Sequence, residues 1–146
     1  MSPREFLSLA DRLLSETTEA DWRTAISRAY YAAFHESREL LASWGFVIRQ
    51  ADQAHTGVSR RLTCSGSPQL VNLGRSLSDL KRMRNVADYD LHCTITRQGA
   101  CDEVLKVNRL LTAHTALTDN ERRLAIEGIR RYERDVLREV TWRSPN

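Results

Sequence analysis

The chain has 146 residues, of which 41% are hydrophobic and 28% are charged, and its net charge is only +3. These values describe an ordinary globule that buries about two thirds of its unfolded surface, and they predict one domain over residues 1–146. No apolar run approaches the ~20 residues of a membrane span, and residues 1–5 lack a signal-peptide core. We therefore expect a cytoplasmic protein with no membrane partner.

The first half of the chain carries clear helix signals. Residues 2–5 form a capping box with proline at the first helical position, and an apolar stripe follows. Thr17 or Thr18 caps a long second helix, which runs to about Trp44 and ends at Gly45. The apolar residues of that helix occupy more than one face, which is typical of a central helix or a subunit interface.

The middle of the chain is less regular. Residues 46–67 are broken by glycines, and the only helix predicted there is a short one near Thr56–Leu62. Pro68 occupies the first position of another long helix, which is expected to fray near Tyr89. Asp90–Thr96 contains β-branched and turn-forming residues and is predicted to be a loop.

Two further helices complete the pattern. Thr96 caps one that continues to about Leu117, and the capping box of residues 118–121 opens a charged C-terminal helix over residues 118–146. The buried stripe predicted for that last helix consists of Ala125, Ile129, Tyr132, Val136 and Val140. Its other faces are charged, which favours a solvated surface. The predicted fold class is all-α, an antiparallel helical bundle of about five helices.

The stretch Leu73–Asp90 is the most informative part of the sequence. At helical spacing, one face of it carries Leu73, Leu77, Leu80, Arg84 and Ala87. An arginine on an apolar stripe must be paired, reach an interface or line a cleft, because an unpaired buried charge is costly. Asp88 lies one turn later and can pair with Arg84, while Asn85 and Tyr89 form an adjacent polar pair.

Two interpretations of Arg84 are open. It forms a buried ion pair with Asp88 that fixes packing, or it lies at the mouth of a functional cleft. We favour the cleft, with a partly exposed guanidinium that is free for a phosphate, because Arg84 lies near the C-terminal end of its helix beside Asn85 and Tyr89.

Positive charge gathers around this stretch. Between residues 60 and 84 there are six bases and a single acid, Asp79. A concentration of that kind suits an anion-binding cleft. The candidate nucleic-acid contacts are Arg60, Arg61, Lys81 and Arg82.

The cysteines and the known enzyme signatures suggest no metal and no cofactor. Cys64, Cys93 and Cys101 form no close pair, which fits reduced thiols. A zinc site that combines two of them with His55 and His92 would lack the CxxC-like spacing of zinc motifs. The sequence also has no Gly-rich phosphate loop, no GxSxG and no HExxH.

One metal-free reaction fits the polar groups near Arg84. Cleavage of RNA by its own 2′-hydroxyl needs a base, an acid and a cation that stabilises charge on the phosphate. An arginine holds a phosphate through two hydrogen bonds, and a histidine exchanges protons near neutral pH. Asn85 can hold a phosphate oxygen or orient the histidine. The accessory candidates are His55, Asp88 and His92.

Two segments together resemble a HEPN domain (higher eukaryotes and prokaryotes nucleotide-binding), and most of all the small stand-alone prokaryotic kind found beside a minimal nucleotidyltransferase. One is residues 27–41, which begin Ser-Arg-Ala-Tyr-Tyr-Ala-Ala-Phe-His and are followed by Gly45 and residues 55–58. The other is Leu80–Asp90, which contains Arg-Asn-Val-Ala-Asp-Tyr-Asp. The similarity covers about residues 5–117.

The resemblance implies a helical bundle, usually a homodimer, from a toxin–antitoxin or related defence setting with a nucleotidyltransferase-type partner. In catalytic members an arginine, a polar residue and a histidine form a metal-independent ribonuclease site. Arg84 and Asn85 match the first two, and Tyr89 stands where the histidine is expected. Because tyrosine ordinarily titrates near pH 10, the resemblance implies a protein that acts on RNA with weakened or lost ribonuclease activity. The alternative is a non-catalytic module that binds a nucleotide or the nucleotidyltransferase.

Overall fold

The structure is a computed structural model that describes residues 1–49, 53–113 and 116–145. These residues contain six helices: α1 (Arg4–Leu13), α2 (Glu19–Ser43), α3 (Ala54–Thr63), α4 (Pro68–Tyr89), α5 (Arg97–Ala113) and α6 (Asp119–Tyr132). A π-helical turn, Glu133–Leu137, follows α6 directly. The described ranges contain no strand, and none of their helices has the length and hydropathy to cross a bilayer. The predicted all-α helical bundle is confirmed, with six helices instead of about five.

Most helix ends follow the local signals in the sequence. A carboxylate oxygen of Glu5 accepts a hydrogen bond from the backbone N–H of Ser2 at 2.7 Å, which is half of the predicted capping box. Thr118 and Glu121 form the complete box that opens α6. The hydroxyl of Thr96 accepts a hydrogen bond from the first turn of α5. Each contact satisfies an amide that the first turn of a helix leaves unpaired.

The middle of the chain also follows its prediction. The short helix expected near Thr56–Leu62 is α3, and it extends slightly beyond those residues. Pro68 begins α4, Tyr89 ends it, and an irregular loop precedes α5. The helix expected to reach Leu117 ends at Ala113 instead, and residues 114–115 lie outside the described ranges.

The C-terminal helix is shorter than predicted. The expectation of a helix over residues 118–146 is wrong, because α6 ends at Tyr132 and the π-helical turn closes on Arg138 in the left-handed conformation, with φ 55°. The predicted stripe breaks at the same place. Its first three residues are buried, whereas Val136 and Val140 are 71% and 68% exposed.

The chain forms two compact units, whose three boundaries fall within α2, within α4 and before the last residue of α5. Unit 1 comprises Met1–Glu36 and Asp79–Thr112, and unit 2 comprises Ser37–Ser78 and Ala113–Asn146. The assignment of residues 1–146 to a single domain stays a prediction. Each unit contains buried apolar side chains and its own arginine centre.

In unit 1, a small apolar core fixes the C-terminal end of α4 against α2 and α5. Its buried members are Ile26, Ala87, Ile95 and Ala100, and Trp22 and Met83 are among the half-buried side chains packed on them. Burial of each large aliphatic side chain stabilises the fold by about 1.5–3 kcal/mol. This packing gives the last turns of α4 a defined position in the unit.

Arg23 reinforces the same helix end. Its Nη1 donates hydrogen bonds to the carbonyls of Ala87 at 2.9 Å and Asp90 at 3.0 Å, and its Nη2 donates to a carbonyl of the following loop. The final carbonyls of a helix have no partner inside the helix, so an arginine from α2 supplies one. Glu19 pairs with Arg23 at 2.7 Å and accepts from the N–H of Ile95 at 3.0 Å. The hydrogen bond from the N–H of Ile95 and, after it, the contact with Arg23 hold the pKa of Glu19 below its ordinary value.

Unit 2 contains a buried ion pair between α3 and the π-helical turn. Nε and Nη2 of Arg61 both lie 2.9 Å from Oε2 of Glu133, and the side chains are 6% and 0% exposed. Arg61 also donates to the carbonyl of Gly57 at 3.1 Å. Glu133 accepts the backbone N–H groups of Thr141 at 3.0 Å and Trp142 at 3.2 Å. Because these residues fold back onto the carboxylate, the chain leaves the helical path after the π-helical turn.

Gly45 lies where that returning segment crosses the end of α2. Its φ is 102°, and a Cβ at this position would lie 2.1 Å from the carbonyl oxygen of Arg143. The N–H of Arg143 donates to the carbonyl of Gly45 at 2.8 Å, and Nε1 of Trp142 donates to the carbonyl of Trp44 at 2.9 Å. The helix end predicted at Gly45 is confirmed, and close approach of a second backbone adds another reason for glycine.

Candidate functional site

Arg84 lies near the end of α4, and its side chain is only 16% exposed. Its Nε lies 2.9 Å from Oδ2 of Asp88, in an ion pair that is not aligned as a hydrogen bond. Nη2 donates to the hydroxyl of Tyr31 at 2.7 Å, and Nη1 donates to Oδ1 of Asn85 at 3.1 Å. The predicted pairing of Arg84 with Asp88 is confirmed. The expectation of a guanidinium without partners is wrong, because each of its three nitrogens already contacts another side chain. Phosphate binding by Arg84 stays a prediction.

Helix α2 supplies the other side of this arrangement. The hydroxyl of Ser27 donates to Oδ2 of Asp88 at 3.1 Å, so the same carboxylate oxygen receives a hydroxyl and a guanidinium. The guanidinium of Arg84 also lies over the ring of Tyr31, 5.3 Å from its centroid. Residues more than fifty positions apart in the sequence therefore meet within unit 1.

Arg28 of α2 brings a second guanidinium to the site. It lies over the ring of Tyr31, 4.8 Å from the centroid, and 5.7 Å from the centroid of Phe6. Its Nη2 donates a long hydrogen bond of 3.4 Å to Ser27. Within the described ranges Arg28 forms no ion pair, and its buried Nε has no hydrogen-bond partner.

We call these five residues the arginine–tyrosine cluster: Ser27, Arg28, Tyr31, Arg84 and Asp88. Two permanent positive charges face one carboxylate, so the cluster carries excess positive charge and favours an anion. The buried side of the site is aromatic. Tyr30 packs against Tyr31 with ring centroids 5.7 Å apart, and burial raises the pKa of Tyr30 far above its ordinary value although the Arg84 charge opposes this.

The rim of the cluster is also aromatic. Tyr89, at the end of α4, is 72% exposed, and the guanidinium of Arg84 lies 5.6 Å from its ring centroid. Asn85 is exposed beside it. An exposed ring next to a cation can stack on a base, although single exposed aromatic residues are common on any surface.

Of the sequence-predicted site residues, the structure brings together Arg84, Asn85, Asp88 and Tyr89. Lys81 and Arg82 precede them on α4, and exposed Arg82 pairs with Asp79. His92 lies exposed in the loop after α4, where its backbone N–H donates to Asp90 at 3.1 Å.

The remaining candidates, His55, Arg60 and Arg61, belong to α3 in unit 2. Arg60 is exposed and lines a cavity of about 670 Å³ together with Arg49 and Arg143. Arg61 was predicted as a nucleic-acid contact, but it is buried and both its Nε and Nη2 are held by Glu133. It has no open face for a phosphate.

Sequence reasoning missed the contribution of α2 to the site. Ser27, Arg28 and Tyr31 are not among the site residues that the sequence predicts. The available signal was their spacing, because residues three and four apart share a helix face. Ser27, Arg28 and Tyr31 satisfy that spacing, but only the fold shows that this face meets Arg84.

The donor groups of the site suit an anion better than a metal. The described part of the chain contains no group of three or more His, Cys, Asp or Glu side chains placed to hold a metal ion. Guanidinium groups carry no lone pair for a metal, but they match the oxygens of phosphate and carboxylate groups.

Comparison with known proteins identifies one distant relative and no family. No family model matches the chain, and no solved structure matches it. An uncharacterized protein of Methanocaldococcus jannaschii is 26% identical over 110 residues, and the match covers 63% of this chain and 62% of that protein. The chain therefore spans less than two thirds of the relative's length.

Proposed function

We propose that the chain is a HEPN-like protein that acts on RNA with a nucleotidyltransferase-type partner, as part of a toxin–antitoxin or related defence system. In this proposal it is a cytoplasmic homodimer whose metal-independent ribonuclease activity is weak or lost. The observation that carries the proposal is the excess positive charge of the arginine–tyrosine cluster beside exposed Tyr89. Single-stranded RNA offers phosphates to cations and bases to an aromatic ring.

The weak activity follows from what surrounds Arg84. Cleavage needs a cation on the scissile phosphate and groups that exchange protons near neutral pH. Arg84 already contacts Asp88, Asn85 and Tyr31, so these three contacts leave only two of its five N–H donors for a phosphate. The side chain beside it is a phenol, a group that ordinarily titrates near pH 10 and is a poor proton shuttle at neutral pH.

The second candidate is a non-catalytic HEPN-like module that binds a nucleotide or holds the nucleotidyltransferase. The contacts of Arg84 favour it, because a guanidinium engaged by three side chains stabilises the fold and is not poised for chemistry. Both candidates share the anion site. They differ in its ligand, which is RNA in the first and a nucleotide or the nucleotidyltransferase in the second, and in whether any cleavage of RNA remains.

Purified protein incubated with total RNA, with and without EDTA, separates the two. We expect slow or no cleavage by the wild type and none by Arg84→Ala. Tyr89→His should cleave faster near neutral pH, because imidazole ordinarily titrates near 6.5. Leu91→His is the matched control, since it places a histidine at another exposed position close to the end of α4.

Each outcome decides between defined alternatives. No cleavage by any variant, with RNA still retained on a filter at low salt, leaves the binding module. Absence of RNA binding at low salt removes the RNA proposal, because phosphate contacts strengthen as salt falls. Cleavage that EDTA stops contradicts the metal-independent mechanism. A monomer in light scattering at micromolar concentration contradicts the homodimer.

A further inference from the structure

The two arginines of the cluster are not equivalent. Arg84 has a partner for each of its three nitrogens. Among the described residues, Arg28 makes a single hydrogen bond, at 3.4 Å, and its guanidinium also lies over the faces of two aromatic rings. A guanidinium has five N–H donors, so Arg28 has more donors left unused by the described residues than Arg84 has.

Burial makes this spare capacity significant. Arg28 is half-buried, and its Nε is shielded from solvent without a hydrogen-bond acceptor among the described residues. A buried donor without an acceptor costs free energy, and native proteins rarely leave one. The rings of Tyr31 and Phe6 attract the positive charge but do not accept its in-plane hydrogen bonds.

The nearby carboxylate does not fill this gap. Oδ2 of Asp88 is occupied by Arg84 and by the hydroxyl of Ser27. Ser27 thus lies between the two arginines, since it donates to Asp88 and accepts from Arg28. These contacts fix the position of Arg28 and leave most of its N–H donors for a ligand.

We propose that Arg28 is the residue that binds a phosphate of the RNA strand, and that Arg84 is a positioning residue that holds Tyr31 and Asp88 in place beside it. The identity of the ligand rests on the proposed function. A phosphodiester fits because its two free oxygens match the bidentate geometry of a guanidinium, and its attached base can stack on a ring such as exposed Tyr89.

Binding of a fluorescein-labelled ten-nucleotide oligouridylate, followed by anisotropy over a salt series, tests the assignment. Arg28→Gln should weaken binding by about tenfold and lower the slope of log affinity against log salt by about 0.7. Arg84→Gln should weaken binding without changing that slope, because it only repositions the site. Arg109→Gln is the control, since Arg109 is an exposed arginine on α5 of the same unit.

Titration with inorganic phosphate alone separates the anion site from RNA. In ¹⁵N spectra, the Nε–H resonance of Arg28 should shift as phosphate is added, and that of Arg109 should not. Phosphate shifts without oligouridylate binding support the role of Arg28 and overturn the RNA function. Oligouridylate binding that is equal in wild type and Arg28→Gln overturns the role of Arg28 and leaves the RNA function intact.

Two further outcomes are decisive. If neither probe binds, the assignment of Arg28 is overturned. If Arg28→Gln does not fold by circular dichroism, Arg28→Lys replaces it, because lysine keeps the charge and loses the fork. A folded lysine variant with weakened oligouridylate binding supports the assignment, and one with unchanged binding overturns it.

Discussion

Each unit of the molecule contains an arginine centre, and the two differ in how completely their donors are satisfied. In unit 2, Arg61 donates to Glu133 and Gly57, and Glu133 accepts from the returning C-terminal segment as well. In unit 1, each nitrogen of Arg84 also contacts another side chain, although its Nε lies in an ion pair that is not aligned as a hydrogen bond. Arg28 makes one hydrogen bond among the described residues.

The comparison shows how to tell a charge that stabilises the fold from one that awaits a ligand. Burial does not separate them, because both centres are largely shielded from solvent. The number of partners does. Arg61 is paired through all three of its nitrogens, whereas Arg28 is hydrogen-bonded through one among the described residues, and a buried donor without a partner indicates an absent acceptor.

The largest effect is expected in the satisfied centre. Glu133→Ala should lower the free energy of unfolding by about 3–5 kcal/mol, because Arg61 is left as an uncompensated buried charge. Chemical denaturation followed by circular dichroism measures it. Asp135→Ala is the control, because this neighbouring carboxylate is exposed, and its effect should stay within about 0.5 kcal/mol. Equal losses in the two variants would contradict the special status of the buried pair.

A smaller effect is expected in unit 1, and it should differ between the two arginines. Arg84→Gln should cost about 1–2 kcal/mol of unfolding free energy, because Asp88 is 25% exposed and keeps the hydroxyl of Ser27. Arg28→Gln should cost less than about 1 kcal/mol, since it removes mainly cation–π contacts. The same denaturation experiment checks both. A greater loss of unfolding free energy in Arg28→Gln than in Arg84→Gln would contradict the view that Arg84 is the arginine that stabilises the fold.

The smallest effect concerns two partly exposed carboxylates, one in each unit. The pKa of Glu19 is lowered by the N–H of Ile95 and then by Arg23, and that of Glu121 is lowered first by the backbone N–H of Thr118. A pKa that is lower in the folded state gives stability that is present above the ordinary glutamate value and is lost as pH falls through the folded value. Denaturation midpoints should therefore drop in acid. Glu19→Gln and Glu121→Gln should each make that drop shallower, and an unchanged drop would contradict the assignment.

The sequence predicts those parts of the fold that depend on neighbouring residues. Four or five neighbouring residues are enough to predict three of the helix ends, namely the capping box at Thr118, the start at Pro68 and the end at Gly45. Local backbone hydrogen bonding decides each of them, and local sequence carries that information. The early end of α6 is different, because it depends on a carboxylate that meets Arg61 across 72 positions.

The candidate site also has one part that local sequence predicts and one part that only the fold brings together. Arg84, Asn85, Asp88 and Tyr89 lie within two turns of one helix, so periodicity alone groups them. The hydroxyl that fixes Arg84 comes from Tyr31, 53 positions away, and the guanidinium of Arg28 arrives on the same helix face. The spacing of residues within α4 does not show which face of α2 will contact them.

The contacts of Trp142 give unit 2 an optical signal of its own. Its indole lies 3.9 Å from the guanidinium of Arg130, and its Nε1 donates to the carbonyl of Trp44. Release of the segment from Glu133 removes both contacts and transfers the indole to water, which changes its emission. Trp22 reports separately on unit 1, where its Nε1 donates to the carbonyl of Glu16. Stopped-flow fluorescence with one tryptophan replaced at a time can therefore time the detachment of the segment against the loss of each core.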